Sequence, residues 1–169
     1  MSFLDKYKEI KTIHATNVKT VSDARNIGLS NSNGQYVAFI DNDDFIAKDY
    51  LHQLYQTMRN TNCDWCVFPW FVDNEPIVLQ IDIKNPLITS WSVWSYCFNR
   101  RIIRDVKFNS KLNVGEDIEW MNKIITPNTK GVQIYKPLYY FTWEGNDNSL
   151  SHLYNNGKIE KAIEVCEKE

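Results

Sequence analysis

The sharpest change of pattern along the chain falls at Tyr36-Val37-Ala38-Phe39-Ile40, a near-continuous apolar run that ends in Asp41-Asn42-Asp43-Asp44. A run of this kind predicts a strand buried on both faces, as in parallel sheets. Upstream, Ile10 to His14 alternates as a short edge strand does, and Phe3 to Tyr7 reads as a helical turn. From Ser22 to Leu29 the period becomes helical through Ala24, Ile27 and Gly28 or Leu29, with Ser22 or Asp23 able to cap. Asn31-Ser32-Asn33-Gly34 is a turn by composition.

Downstream, Ala47 to Arg59 sets Tyr50 or Leu51, Leu54, Tyr55 and Met58 on one helical face. Asp64 to Phe71 predicts a strand interrupted by Pro69. Asp73 to Pro86 alternates through Ile77, Leu79, Ile81 and Ile83, as an extended arm does. Trp91 to Phe98 is aromatic and leads to a short basic helix with Arg100, Arg101 and Arg104. Gly115 introduces Glu116 and Asp117 at the head of a helix reaching Ile125. Strands are expected at Gly131 to Tyr135 and Pro137 to Trp143, then a loop at Gly145 to Ser149. A charged helix at Lys158 to Glu169 follows, with Ile159, Ala162, Ile163 and Cys166 on its apolar side. Strands alternating with helices make this an α/β chain, read as a single domain over residues 1–169.

The acidic end of the apolar run carries the first functional signal. Three carboxylates within four residues repel one another and raise each other's pKa values. A divalent cation offsets that repulsion, and hard oxygen ligands suit magnesium or manganese. Ligands of open α/β sheets sit outside the carboxyl ends of strands, so a metal site for a phosphorylated ligand is expected here. The competing reading is an acidic turn capping the next helix. For Arg100, Arg101 and Arg104 the alternatives are a pyrophosphate cradle and a solvated helix face. Glu116 and Asp117 also suit a first helical turn, where the helix dipole favours acids.

Composition narrows the field. The chain has 169 residues, 43% hydrophobic and 14% aromatic, enough for a filled core, and its formal charge of -2 gives no bulk attraction to nucleic acid or anionic membrane. No apolar run approaches the ~20 residues that span a bilayer. Four cysteines make no disulfide framework, and Cys63 and Cys66 read as reduced thiols at a strand entry rather than a zinc or redox pair. The expected location is the cytoplasm, including the inner face of a membrane.

In order, these segments resemble the family 2 glycosyltransferases. Val21-Ser22-Asp23-Ala24-Arg25-Asn26-Ile27-Gly28-Leu29 is similar to that family's S-x-A-R-N-x-G helix, and Gly34 to Asp44 to its G-x-Y strand ending in D-x-D-D. Gly115-Glu116-Asp117 resembles the acceptor-side E-D motif. Leu138-Tyr139-Tyr140-Phe141 with Ser149-Leu150-Ser151 resembles the closing segment. The resemblance covers roughly residues 10 to 153. It implies a Rossmann-like GT-A nucleotide-diphospho-sugar transferase fold, with a mixed central sheet and flanking helices. It also implies inverting transfer from a nucleoside-diphosphate sugar, a UDP-sugar foremost, to a glycan, lipid or protein hydroxyl, with Mn2+ or Mg2+. By that resemblance Asp43 would coordinate the metal on the donor diphosphate, and Asp41 would contact the ribose or share the metal. Arg25 would lie toward the nucleotide, and Asp117 would be the general base. His152 is a further candidate metal or diphosphate ligand.

One departure stands out. The family opens with a strand, a helix and a second strand that bind the nucleoside base, whereas Met1 lies shortly before what resembles the third strand. The fold is therefore expected to be N-terminally shortened, with an exposed sheet edge and a homodimer or another chain covering it. Two other readings compete. One is a degenerate, non-catalytic glycosyltransferase-like binding module. The other is a haloacid-dehalogenase-type phosphatase with Asp41 as nucleophile and Asp43 as acid, although Phe45 stands where that motif wants Thr or Val.

Overall fold

The computed structural model describes residues 10–72, 75–77, 92–112 and 114–142. The predicted turn at Phe3 to Tyr7, the arm beyond Ile77, the segment with Ser149 to Ser151 and His152, and the C-terminal helix lie outside them. Helix α1 (Val21–Asn31) starts two residues earlier than a Ser22 cap would place it and three earlier than an Asp23 cap. Thr20 is the N-cap. Its hydroxyl accepts from the Asp23 N–H at 3.1 Å, while the Asp23 carboxylate accepts from the Thr20 N–H at 3.2 Å, a reciprocal capping box.

The chain then forms β1 (Tyr36–Ala38), β2 (Phe45–Ile46), α2 (Tyr50–Thr61), β3 (Trp65–Val67), β4 (Trp70–Val72) and β5 (Glu75–Ile77). After a 3-10 turn at Val93–Ser95 come β6 (Tyr96–Asn99), α3 (Arg100–Ile103), α4 (Glu116–Ile124), β7 (Gly131–Gln133) and β8 (Tyr139–Phe141). One mixed sheet has the order β1-β6-β3-β7 and the other β2-β8-β4-β5. Pro69, without an N–H for a ladder, marks where the chain leaves the first sheet for the second. The expected single strand from Asp64 to Phe71 is therefore two strands in two sheets.

Period-two alternation builds the core. Trp65 and Val67 of β3, with Tyr96 and Phe98 of β6, pack against Trp120, Met121 and Ile124 of α4. On the opposite face Cys66 and Cys97 meet Tyr50, Leu54 and Met58 of α2. Cys63, Cys66 and Cys97 are buried free thiols, and burial pushes Cys63 and Cys66 above the usual thiol range, Cys97 adding most at Cys66. Among the described residues no helix is long and apolar enough to cross a membrane.

Two expectations for the front of the chain are corrected. Ile10 to His14 forms no strand, and Ile10 and Ile13 are exposed. The run Tyr36 to Ile40 is a strand only to Ala38, and of its residues only Val37 is buried. The reason is its place: β1 is an edge strand whose one partner among the described residues is β6, antiparallel. Its residues also line a groove of about 790 Å³, with Val21, Leu29 and Ile40 among the walls.

Close approach at Gly131 yields a test. A methyl added there would fall 2.0 Å from a ring carbon of fully buried Trp65. Gly131→Ala must part β7 from β3 or displace the indole, a destabilisation of about 1–3 kcal/mol. An added methyl at Gly28 meets nothing within 4 Å, so Gly28→Ala in α1 is expected to stabilise by ~0.5–1 kcal/mol. Urea unfolding should lower the midpoint for Gly131→Ala and raise it for Gly28→Ala. Equal midpoints would contradict the packing described.

Candidate active site

Arg25 leaves the middle of α1 with its side chain only 10% exposed. Its position is set by neighbours that stitch α1 to the segment before α4. Ser22 Oγ donates to the Asn109 carbonyl at 3.3 Å, and Ser110 Oγ donates to Asp23 at 2.5 Å. The Asn26 amide closes a two-way pair with Phe108, donating to its carbonyl at 2.9 Å and accepting from its N–H at 2.8 Å. The Arg25 guanidinium lies 5.4 Å from the centroid of the Phe108 ring, which stacks at 4.5 Å on Trp120. Phe39, just past β1, sets its edge against both rings. The end of β1 and the head of α4 therefore rest on one aromatic floor.

From that floor the guanidinium gathers three acids. It donates to Glu116 at 3.0 Å and to Asp117, and it stands 3.6 Å from an Asp41 oxygen. Glu116 and Asp117 open α4 behind Gly115, the N-cap, whose φ of 81° is one that glycine takes without steric cost. The other Asp117 oxygen accepts from the Val93 N–H at 3.0 Å. Burial pushes the Asp117 carboxyl up to about 7, with Glu116 and Asp41 adding to the effect of desolvation and outweighing Arg25 and the Val93 N–H. Burial also raises Asp41, against the pull of Arg25. A carboxyl near neutrality, held by two donors and still offering lone pairs, is suited to proton transfer.

The acids of the turn after β1 divide their tasks. Asp43 is exposed at its tip and Asp41 half-buried beside Arg25. Asp44 points inward, accepting from the Tyr139 hydroxyl at 2.7 Å and from the Thr142 N–H at 2.9 Å. The turn is not the cap of the next helix, because β2 intervenes and α2 has Asp49 at its N-cap. Among the described residues no group of three or more His, Cys, Asp or Glu is placed to hold a metal by itself. An exposed Asp43 with Asp41 behind it suits a cation that draws its remaining ligands from a bound diphosphate.

Of the anticipated residues, Arg25, Asp41 and Asp117 are in one cluster, Asp43 lies two positions from it in sequence, and His152 is outside the described residues. Arg100 and Arg101 make their contacts outside the Arg25 cluster, Arg101 as an ion pair with the Asp64 carboxylate. Arg100 donates to the Gly34 carbonyl at 2.6 Å and Ser32 at 2.8 Å, and Arg101 to Asp64 at 2.8 Å. Asn26, the Val93 N–H and Tyr139 were not anticipated. Asn26 lies inside the quoted helical motif and Tyr139 inside the quoted closing segment, whereas the Val93 N–H lies in no quoted motif and its contact is tertiary.

The chain is similar to known proteins in sequence and in fold. The family model "Glycosyl transferase family 2" matches residues 2–117. "Glycosyltransferase GlyA" of Streptococcus pneumoniae is 42% identical, over 72% of this chain and 21% of its own length. An "Uncharacterized glycosyltransferase" of Haemophilus influenzae is 40% identical over 31% of this chain and 21% of its own. The chain thus spans about a fifth of each of these relatives. Among solved structures, S. aureus TarS residues 1–349 in complex with UDP-GlcNAc superposes with a TM-score of 0.70 at 21% identity, covering 85% of this chain and 46% of that one. That similarity supports the GT-A-like α/β fold. With the family's helix, acidic strand end and E-D pair meeting at one guanidinium, the chain belongs to glycosyl transferase family 2.

Proposed function

We propose that this chain transfers a sugar from a nucleoside-diphosphate donor, a UDP-sugar foremost, to a hydroxyl of a glycan, lipid or protein, with inversion. The observation that carries this reading is Arg25, which draws a donor-side acid, Asp41, and the acceptor-side pair Glu116 and Asp117 into one site. Asp117 takes the proton of the acceptor hydroxyl as that oxygen bonds to the anomeric carbon. The bond from that carbon to the diphosphate breaks, and its electron pair leaves with the nucleoside diphosphate. Asp41 and Asp43 would hold Mn2+ or Mg2+, which would neutralise charge on the leaving diphosphate. His152 is proposed as an additional ligand. Buried free thiols suit a reducing compartment, the cytoplasm or the inner face of a membrane. The open edge of β1 and the groove beside it support a homodimer joined there.

Manganese titrated calorimetrically into the protein should bind weakly alone and more tightly with UDP present. Asp43→Ala should remove that response with the fold intact. Equal affinity with and without UDP, or none in either case, would overturn the metal assignment. Tight binding with neither donor hydrolysis nor transfer would favour the non-catalytic module.

The kcat/KM profile should fall on the acid side, because a base with its pKa near 7 is protonated below that value. Asp117→Asn should lower transfer by ~10²–10⁴ and abolish that limb, leaving UDP affinity nearly unchanged. A larger loss in Glu116→Gln than in Asp117→Asn would assign the base to Glu116.

Light scattering at low micromolar concentration should return the mass of a dimer, and Ile40→Lys in the groove should return 19.9 kDa. A monomeric parent protein would exclude the dimer.

A further inference from the structure

We propose that Tyr139, through its hydroxyl and its stack on Trp94, is a positioning residue that ties the acidic turn after β1 to the carboxylate at the head of α4. The inference rests on the reading of these two features as the donor and acceptor sides of one site. Its starting point is a phenol with both hydrogen-bonding capacities in use. Tyr139 is fully buried, and its hydroxyl accepts from the Asp41 N–H at 3.0 Å and donates to Asp44 at 2.7 Å. The Thr142 N–H takes the other Asp44 oxygen at 2.9 Å, and the turn closes on itself through the Asp44 N–H to the Asp41 carbonyl at 3.4 Å. Strand β8 and the residue that follows it therefore grip the turn at three points. Asp41 and Asp43 emerge from a backbone that the second sheet holds in place.

The ring carries the restraint onward. It stacks on Trp94 with centroids 4.6 Å apart and planes 14° from parallel. Trp94 is wedged on its other contacts by Phe141 at 5.6 Å and the edge of Trp70 at 5.0 Å. The residue before it, Val93, supplies the N–H that holds Asp117 at 3.0 Å. A shift of the acidic turn is thus transmitted through a packed aromatic pair to the backbone group that orients Asp117. Arg25 links the same two carboxylates from the opposite direction, as an ion pair. A charge holds the distance on one side and a close-packed ring pair on the other. A leucine at 139 would fill the core, and a phenylalanine would keep the stack, but neither would hold the turn.

The test compares wild type with Tyr139→Phe, which keeps the ring, and Asp44→Asn, whose single amide oxygen can accept from Thr142 or from Tyr139 but not from both. In both variants near-UV circular dichroism should stay native, while the amides of Asp41 and Val93 shift and lose hydrogen-exchange protection in NMR spectra. UDP in the presence of manganese should bind at least about tenfold more weakly to Tyr139→Phe, the factor that corresponds to ~1.4 kcal/mol. Unchanged Asp41 and Val93 amides in both variants would overturn the proposal. So would perturbation at Asp41 with Val93 untouched, since coupling is the claim. A wild-type protein that binds no UDP would instead refute the donor reading, and the amide comparison would still decide whether Tyr139 positions the two sides.

Discussion

One guanidinium sits among three carboxylates in this molecule, and much of the surrounding structure exists to keep it there. Arg25 belongs to the first described helix, while Glu116 and Asp117 lie 91 and 92 residues further along. An arginine so enclosed is unfavourable unless paired, and removing one partner of a buried ion pair typically costs about 3–5 kcal/mol. Lysine is no substitute, because only the planar fork reaches several acids at once. The capping box at Thr20, the Asn26 clasp on Phe108 and the Phe108–Trp120 stack each fix the helix from which that fork extends. Local capping, side-chain-to-backbone pairing and aromatic packing thus converge on one charge.

The compensation is incomplete by design of the site. One positive charge faces three negative ones, and burial holds Asp41 and Asp117 above the ordinary carboxylate range. Each raised pKa means that ionising the acid is less favourable in the folded chain than in the unfolded one. The stability these groups lend is therefore complete under acid conditions and is lost as pH climbs through their folded-state values. If Asp117 is the base proposed above, the burial that brings its pKa near neutrality costs stability at the pH where it would act.

Much of this was legible in the sequence wherever the cause is local. Helical period and a capping residue mark α1, and the apolar face of α2 marks its core side through Leu54 and Met58. An apolar run ending in acids locates Asp41 and Asp43. Alternation at Ile10 to His14 misled because a pattern of side chains does not supply a partner strand. Spacing also could not separate the acids within one turn: Asp44 is drawn inward by a hydroxyl and a backbone N–H contributed 95 and 98 residues later. The same holds for Arg25, whose motif marks it as functional while its partners can be known only from the packed chain. Pro69 was recognised as an interruption, yet the switch of sheets that follows depends on β8 being available beside β4.

The long span between Arg25 and Asp117 also bears on how the chain is made. At about 5–20 residues per second, a ribosome adds the intervening residues in roughly 5–18 s, so α1 and β1 leave the tunnel well before β6 and α4 exist. During that interval Arg25 and Asp41 exist without Glu116 and Asp117, and Val37 lacks the opposing Phe98 of β6. Strand pairing cannot come first in sequence order, since β1 finds its neighbour only after β3 and β4 have been produced. The site is consequently among the last features to form in a nascent chain, and the apolar edge beside it among the first to need shielding.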